Sequence, residues 1–151
     1  MTRTRTLPAM PDAEVSPSPV TLILPMLPHS WNAVMRMDYH PRHALFGKQK
    51  TVVKRVWDRL AIKPQKFAVP VEIEVAAYFG KGARRYDADN LAIKPAIDAA
   101  RGLLLENDSA EYVQRVVLMS RRDAANPRTE LTFRPLPGIL PKPRTRKGAT
   151  T

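Results

Sequence analysis

Cysteine is absent from this chain of 151 residues. Its absence excludes disulfide bonds, zinc sites built on thiolates and a cysteine nucleophile. No apolar run approaches the roughly 20 residues that a membrane-spanning helix needs. Residues 1–18 contain no continuous apolar signal region, so we expect the protein in the reducing cytoplasm. A glycine-rich phosphate loop, a nucleotide-binding fingerprint and a Ser-His-Asp set are also missing.

Acidic residues are few relative to basic residues. The 14 Asp and Glu oppose 25 Lys and Arg, which gives a net charge of +11. Such a balance favours a polyanionic partner, and nucleic acid is the usual one. A basic surface that only maintains solubility is the alternative. Hydrophobic residues make up 44% of the chain, so we expect one folded domain with a core.

Both ends of the chain resemble tails in composition. Residues 1–19 are rich in Thr, Pro and Ser and show no apolar period, which predicts a disordered N-terminal tail. Residues 136–151 form a Pro-rich basic tail, with a basic cluster at 142–147. This second tail either attracts phosphate without specificity or is a solvated end. The folded domain is therefore predicted over residues 20–135.

Hydrophobic periodicity between the tails predicts one α+β domain with a mixed β-sheet and two main helices. The predicted strands occupy Val20–Leu24, Val71–Phe79, which we expect to be half-buried, and residues 112–121 and 128–134. The predicted helices occupy residues 47–62, ended by Pro64, and residues 89–101, ended by Gly102. The order is strand, helix, strand, helix, strand, strand.

The most informative stretch is Asp87-Ala88-Asp89-Asn90, which Lys94, Asp98 and Asp108 follow. In extended backbone the side chains of Asp87 and Asp89 would share one face. Carboxylates beside phosphate-binding charge are repulsive unless a divalent cation lies between them and the substrate. Metal-dependent cutting of a nucleic-acid backbone needs such a combination.

Structural roles also explain some of these acids. Asp89 is a good N-cap for the predicted second helix, and Asp108 is typical of a turn. Asp108 can return to the motif only if the strand after it runs beside the strand before the motif. The residues alone therefore leave metal binding and a structural role open.

The motif and its surroundings resemble the RusA family of Holliday-junction resolvases. The resemblance is carried by Arg84-Arg85-Tyr86-Asp87-Ala88-Asp89-Asn90-Leu91, Lys94, Asp98-Ala99-Ala100 and Asn107-Asp108. The stretch Leu-Pro-Met-Leu-Pro-His-Ser-Trp-Asn at residues 24–32 is similar to the opening strand and Pro-rich loop of the family. The similarity extends over residues 20–135 and follows the family's order of elements.

This resemblance implies a RusA-like domain that acts as a homodimeric crossover junction endodeoxyribonuclease. Such enzymes use Mg²⁺, for which Mn²⁺ is a possible substitute, and cut four-way DNA junctions by symmetric paired nicks in recombination and repair. Their genes often lie in prophages. By position, Asp87, Asp89 and Asp108 match the metal-binding carboxylates and Lys94 matches the essential lysine.

The resemblance also implies supporting and DNA-binding positions around this centre. Asn90 and Asp98 are expected to support the site. The residues expected to contact DNA are Lys81, Arg84, Arg85, Trp31 and Asn32, with the basic side chains holding flanking phosphates. Trp31 either stacks on an unpaired base at a junction or packs against the sheet.

Two residues depart from the family pattern. Three residues separate Asn90 from Lys94, where the family usually has two, and one helical residue is a rotation of about 100°. Because Pro95 disfavours α conformation at Lys94, one hypothesis is a bulge or kink that restores the lysine's direction. The alternative is a surface lysine paired with Asp98. Asn107 replaces a frequent Asp, so we expect Asp108 to be the ligand.

Other functions remain as alternatives. One is a metal-dependent nuclease for other branched or single-stranded DNA. Another is a basic DNA-binding protein, or a catalytically inactive family member, whose acids only cap and pair. The segment His40-Pro41-Arg42-His43 is interpreted as a basic loop rather than a metal site, because a third ligand is lacking.

Overall fold

The computed structural model describes residues 18–142. In chain order its elements are β1 (Val20–Leu24), β2 (His29–Ser30), α1 (Trp31–Met35), α2 (Tyr39–Asp58), β3 (Val71–Phe79), a 3₁₀ turn (Ala88–Asn90), β4 (Leu91–Ala92), α3 (Lys94–Ala100), β5 (Val113–Arg122) and β6 (Arg128–Pro135). The fold is α+β, and the prediction of its class is confirmed. The principal order of strands and helices is also as predicted, with four short elements added: β2, α1, the 3₁₀ turn and β4.

The main sheet contains four strands in the order β1-β6-β3-β5 within the described residues. Strand β5 is parallel to β3, while β6 is antiparallel to both β3 and β1. The sheet is therefore mixed, as predicted. The parallel pair also meets the condition set for Asp108, because the strand after this residue runs beside the strand that precedes the acidic motif.

The hydrophobic core lies between one face of the main sheet and the helices α2 and α3. Leu22, Leu131 and Val75 are register neighbours across β1, β6 and β3, and all three are fully buried. Helix α2 adds Val53 and Trp57 to the same cluster, and α3 adds two buried alanines. Burial of this apolar surface from both layers is the main driving force that holds α3 against the sheet.

Strand β3 is more buried than its half-polar sequence predicts. It lies between β6 and β5, so both of its edges are paired and side chains of the neighbouring strands flank its own. Glu72 is consequently only 6% exposed, and its carboxylate accepts two hydrogen bonds from the guanidinium of Arg115 on β5. The pairing compensates the burial of the Glu72 charge, which would otherwise be strongly unfavourable.

The first long helix begins eight residues earlier than predicted and ends before residue 62. The prediction of a loop at His40-Pro41-Arg42-His43 was wrong, because these residues lie in the first turns of α2. Pro41 is tolerated there since the first N–H groups of a helix have no intrahelical acceptor. At the other end, the ammonium of Lys63 hydrogen-bonds the carbonyls of Trp57 and Leu60, which closes the last turn.

The second predicted helix, over residues 89–101, is wrong in its first half. Leu91 and Ala92 form β4, which pairs with β2, so the chain is extended there rather than helical. Helix α3 starts only at Lys94, with Pro95 in its first turn. The predicted end is confirmed, because Gly102 follows the helix with φ +83°, the left-handed conformation that glycine adopts readily.

The first residue of the C-terminal tail is bound to the folded domain. The N–H of Leu136 donates to the carbonyl of Pro70 at 2.8 Å. Residues 143–151, with most of the basic cluster, and residues 1–17 lie outside the described residues. None of the helices within residues 18–142 combines the length and the apolar character that a bilayer crossing requires.

Candidate active site

A short basic loop connects β3 to the acidic motif. The guanidinium of Arg122, at the end of β5, donates to the carbonyls of Gly80 at 2.7 Å and Ala83 at 3.2 Å. Gly82 makes the turn between them with φ +77°. The basic side chains of this loop are all exposed; they are Lys81, Arg84 and Arg85. A fixed backbone therefore presents three cations to solvent directly before the aspartates.

The residue before the motif is anchored to the main sheet. The Tyr86 ring packs edge-on against Phe79, with the ring centroids 5.2 Å apart, and its carbonyl accepts a hydrogen bond from the Ser120 hydroxyl. The chain then turns, and the N–H of Asn90 donates to the Asp87 carbonyl at 2.9 Å. These contacts fix the place from which the exposed Asp87 side chain projects.

Asp87 and Asp89 have different backbone conformations. Asp87 is extended, whereas Asp89 lies inside the 3₁₀ turn. The condition under which the two side chains would share one face, an extended backbone at both residues, is therefore not met. The prediction of Asp89 as a helix N-cap was wrong, because α3 begins at Lys94 and its N-cap residue is Ile93. Since capping does not explain Asp89, its exposed carboxylate stays available for a ligand.

Asn90 connects the motif to the Pro-rich segment. Its Oδ1 accepts a hydrogen bond from the backbone N–H of Asn32 at 3.1 Å. The antiparallel pairing of β2 with β4 brings the same two segments together. The structure thus places the exposed Asn32 and the half-buried Trp31, which opens α1, beside the acidic motif. The expected supporting role of Asn90 has a structural basis in this contact.

Lys94 lies in the first turn of α3 and forms an ion pair with Asp98. The distances from its Nζ to the two carboxylate oxygens are 2.8 and 3.1 Å. The hydrogen bond with Asp98, and then the charges of Asp98 and Asp108, raise the pKa of Lys94 above its ordinary value, against a lowering by partial burial. The lysine is therefore a cation at neutral pH, paired with Asp98 and also stabilised by the charge of Asp108.

The extra residue before Lys94 does not rotate it along a helix. The intervening residues are extended or precede the helix, so the expected bulge or kink is replaced by a helix start. The alternative pairing with Asp98 is present, with 67% of the lysine side chain exposed. Because an exposed ion pair leaves the ammonium accessible, this pairing does not by itself decide the role of Lys94.

Asn107 and Asp108 have separate roles in their turn. The Asn107 Oδ1 accepts hydrogen bonds from the N–H groups of Asp108 at 2.8 Å and Ser109 at 3.0 Å. This is the local turn that an Asn side chain makes with its following backbone. Since the Asn107 oxygen is used in the turn, Asp108 is the better candidate for a ligand, and its charge already acts on Lys94.

The three candidate metal ligands do not form a closed site. Within residues 18–142 no three His, Asp or Glu side chains are close enough together to hold one ion. Carboxylate oxygens are nevertheless the donors that Mg²⁺ prefers, so the chemistry of the three side chains fits the ion. The structure pairs Lys94 with Asp98 and places it where the charge of Asp108 acts on it. Among the described residues it does not gather Asp87, Asp89 and Asp108 around one point.

One residue that contacts this region was missed in the sequence. Gln49 on α2 is 7% exposed, and its amide hydrogen-bonds the backbone on both sides of Lys94. Its only sequence signal is a polar residue four positions before Val53 and eight before Trp57, which are the buried residues of α2. Such a signal is weak, because the predicted apolar stripe begins after it.

Comparison of the chain with known protein families found no matching family model, and comparison with curated proteins found no match either. The RusA-like assignment therefore stays a prediction that is based on the motif and the order of elements.

Proposed function

We propose that the protein is a Mg²⁺-dependent endonuclease that nicks branched DNA, with the Holliday junction as its principal substrate. The observation that carries this proposal is the ion pair of Lys94 with Asp98, at the start of the helix that follows Asp87 and Asp89. The charge of Asp108 also acts on this lysine. A lysine and several carboxylates thus occupy one region of a chain with a net charge of +11.

The proposed chemistry assigns different tasks to the two kinds of charge. Asp87, Asp89 and Asp108 would hold the ion, which would activate a water molecule and stabilise negative charge on the phosphate. The Lys94 ammonium would offset the charge that develops on a phosphate or leaving oxygen. Lys81, with its exposed neighbours in the basic loop, would hold flanking phosphates without reading sequence.

The preference for four-way junctions follows from symmetry. A junction needs two nicks at equivalent positions, and a homodimer presents two sites related by a two-fold axis. We therefore propose a homodimer that works in the cytoplasm, where the DNA intermediates of recombination and repair are accessible. The basic surface supplies the affinity, while branch geometry supplies the choice of substrate.

Substrate competition tests this function. A labelled four-way junction with Mg²⁺ is offered together with unlabelled linear duplex, forked duplex or single-stranded DNA. We expect nicking that survives excess linear duplex and stops when Mg²⁺ is chelated. Asp58→Asn, which removes an exposed carboxylate at the end of α2, is the control for Asp87→Asn. If forked or single-stranded DNA competes more strongly than the junction itself, that DNA and not the four-way junction is the principal substrate.

A basic DNA-binding protein without nuclease activity is the second candidate. It is favoured by the ion pair between Lys94 and Asp98, which satisfies the lysine without a substrate. This candidate predicts tight junction binding with and without Mg²⁺ and no nicks under either condition. Measurement of binding to the same labelled junction, alongside nicking and with and without Mg²⁺, distinguishes this candidate from the nuclease.

A further inference from the structure

Helix α3 begins without a side-chain cap from its own N-cap residue. Ile93 occupies the N-cap position, and its side chain makes no capping hydrogen bond. Pro95 contributes no N–H, and the first turn of this described helix contains no acidic residue. The free N–H groups of a helix start normally take a side-chain acceptor or water. In the turn that carries Lys94, the Ala96 N–H donates to the Ile93 carbonyl at 3.0 Å, so a side-chain acceptor there is a second one.

Gln49 on α2 supplies this second acceptor, a side-chain one from another helix. Its Oε1 accepts from the Ala96 N–H at 3.0 Å, and its Nε2 donates to the Ala92 carbonyl at 3.0 Å. Ala92 and Ala96 are the residues two before and two after Lys94. One amide thus spans the backbone around the lysine, with both of its polar ends used.

Burial makes these two hydrogen bonds effective constraints. Gln49 is 7% exposed, so water competes little for its amide, and loss of one partner would leave a buried polar group unsatisfied. The other buried residues of α2, Val53 and Trp57, are apolar and pack in the core. An apolar residue at position 49 would serve packing equally well, so packing alone does not account for an amide there.

We propose that Gln49 is a positioning residue for Lys94. By fixing the backbone from Ala92 to Ala96, it sets the place of the lysine ammonium relative to Asp98 and Asp108. The consequence for catalysis rests on the proposed function, whereas the positioning itself can be measured in the protein without DNA. Gln49 contacts neither substrate nor metal in this account and acts only through the start of α3.

The first test measures positioning independently of activity. Gln49→Met keeps the length of the side chain and removes both hydrogen bonds, and Gln65→Met makes the same change at an exposed site. The Ile93 carbonyl still accepts from the Ala96 N–H in this variant. Loss of the Gln49 acceptor is therefore expected to accelerate amide exchange of Ala96 by up to about tenfold. Amides of β3 should be unaffected. Unchanged exchange at Ala96, or equal acceleration throughout the fold, would overturn the proposal.

The second test measures the consequence for nicking. At saturating junction and Mg²⁺, Gln49→Met should slow nicking by about 10- to 100-fold without weakening junction binding, because a displaced catalytic group affects only the chemical step. In a Lys94→Ala background the same substitution should have no further effect. A further loss in that background, or weakened binding, would contradict action through Lys94.

Gln49→Glu separates the two hydrogen bonds. An ionised carboxylate still accepts from the Ala96 N–H but cannot donate to the Ala92 carbonyl. We expect a nicking rate no higher than that of Gln49→Met, and a wild-type rate would show that the contact with Ala92 is unnecessary. If the wild-type protein does not nick DNA, the proposed function fails, and the exchange measurement alone still decides whether Gln49 positions Lys94.

Discussion

The ammonium of Lys94 and its two acidic neighbours define the candidate site at the level of single residues. An exposed i,i+4 ion pair contributes only about 0.3–0.5 kcal/mol to folding. The pair with Asp98 therefore contributes little to stability, and its main physical effect is to restrict where the ammonium lies. A residue of this kind should matter for activity much more than for folding.

Replacement of Lys94 tests this expectation. We predict that Lys94→Ala lowers the rate of junction nicking by about two orders of magnitude or more. Junction affinity should be unchanged, and the free energy of unfolding should change by less than about 0.5 kcal/mol. Lys66→Ala is the matched control, since Lys66 forms a similar exposed ion pair with Glu106. Unimpaired cutting by Lys94→Ala would rule out a catalytic lysine.

The pH dependence of nicking follows from the direction of the Lys94 pKa. Hydrogen bonding to Asp98, and then the charges of Asp98 and Asp108, raise this pKa above its ordinary value. A raised pKa keeps the cation in place through neutral pH, so its contribution is lost only as the pH rises through the folded-state pKa. Asp98→Asn should shift the alkaline limb of the nicking rate to lower pH. If Asp98→Asn leaves the alkaline limb at its wild-type pH, a group other than Lys94 determines that limb.

At the level of secondary structure, period-2 alternation predicted the bounds of β1 and β3 well. The start of α2 could not be found in this way, because none of residues 39–48 is buried and the apolar stripe begins only afterwards. The break before α3 depends on pairing between β2 and β4, which are far apart in the chain. Local periodicity contains no information on such a pairing, so the sequence predicted a continuous helix.

The same limit applies to the candidate site. The acidic motif and Lys94 are recognisable in the sequence because they lie within one short stretch. The effect of the Asp108 charge on Lys94 and the contact of Gln49 on α2 with the start of α3 both depend on packing between distant segments. These two features therefore required the folded structure.

Two glycines test the backbone conformations of the helical segments: Gly102 directly after α3 and Gly47 inside α2. Gly102 has φ +83°, so Gly102→Ala should lower the free energy of unfolding by about 1 kcal/mol. Gly47 lies inside α2, and a Cβ there meets no atom within 4 Å. Gly47→Ala should therefore raise the free energy of unfolding by about 0.5–1 kcal/mol. Urea denaturation measures both, and changes of the same sign would contradict this assignment of backbone conformations.

For the whole molecule, the net charge of +11 predicts DNA binding that weakens steeply with salt. If Lys81, Arg84 and Arg85 each contact a phosphate, each alanine substitution should reduce the slope of log affinity against log salt by about 1. Lys66→Ala is again the control. Binding titrations from low to moderate salt measure the slopes. Wild-type slopes in all three variants would show that these side chains do not contact the DNA phosphates.

We propose that the motif around Asp87 and Lys94 is the active site of a junction-specific nuclease. A strand-by-strand map of nicks in a synthetic four-way junction with Mg²⁺ tests it most directly, with linear duplex of the same sequence alongside. We predict paired nicks at symmetric positions in the junction alone, and their loss in Asp87→Asn. Tight junction binding without any nick, or nicks that persist in Asp87→Asn, would contradict the claim.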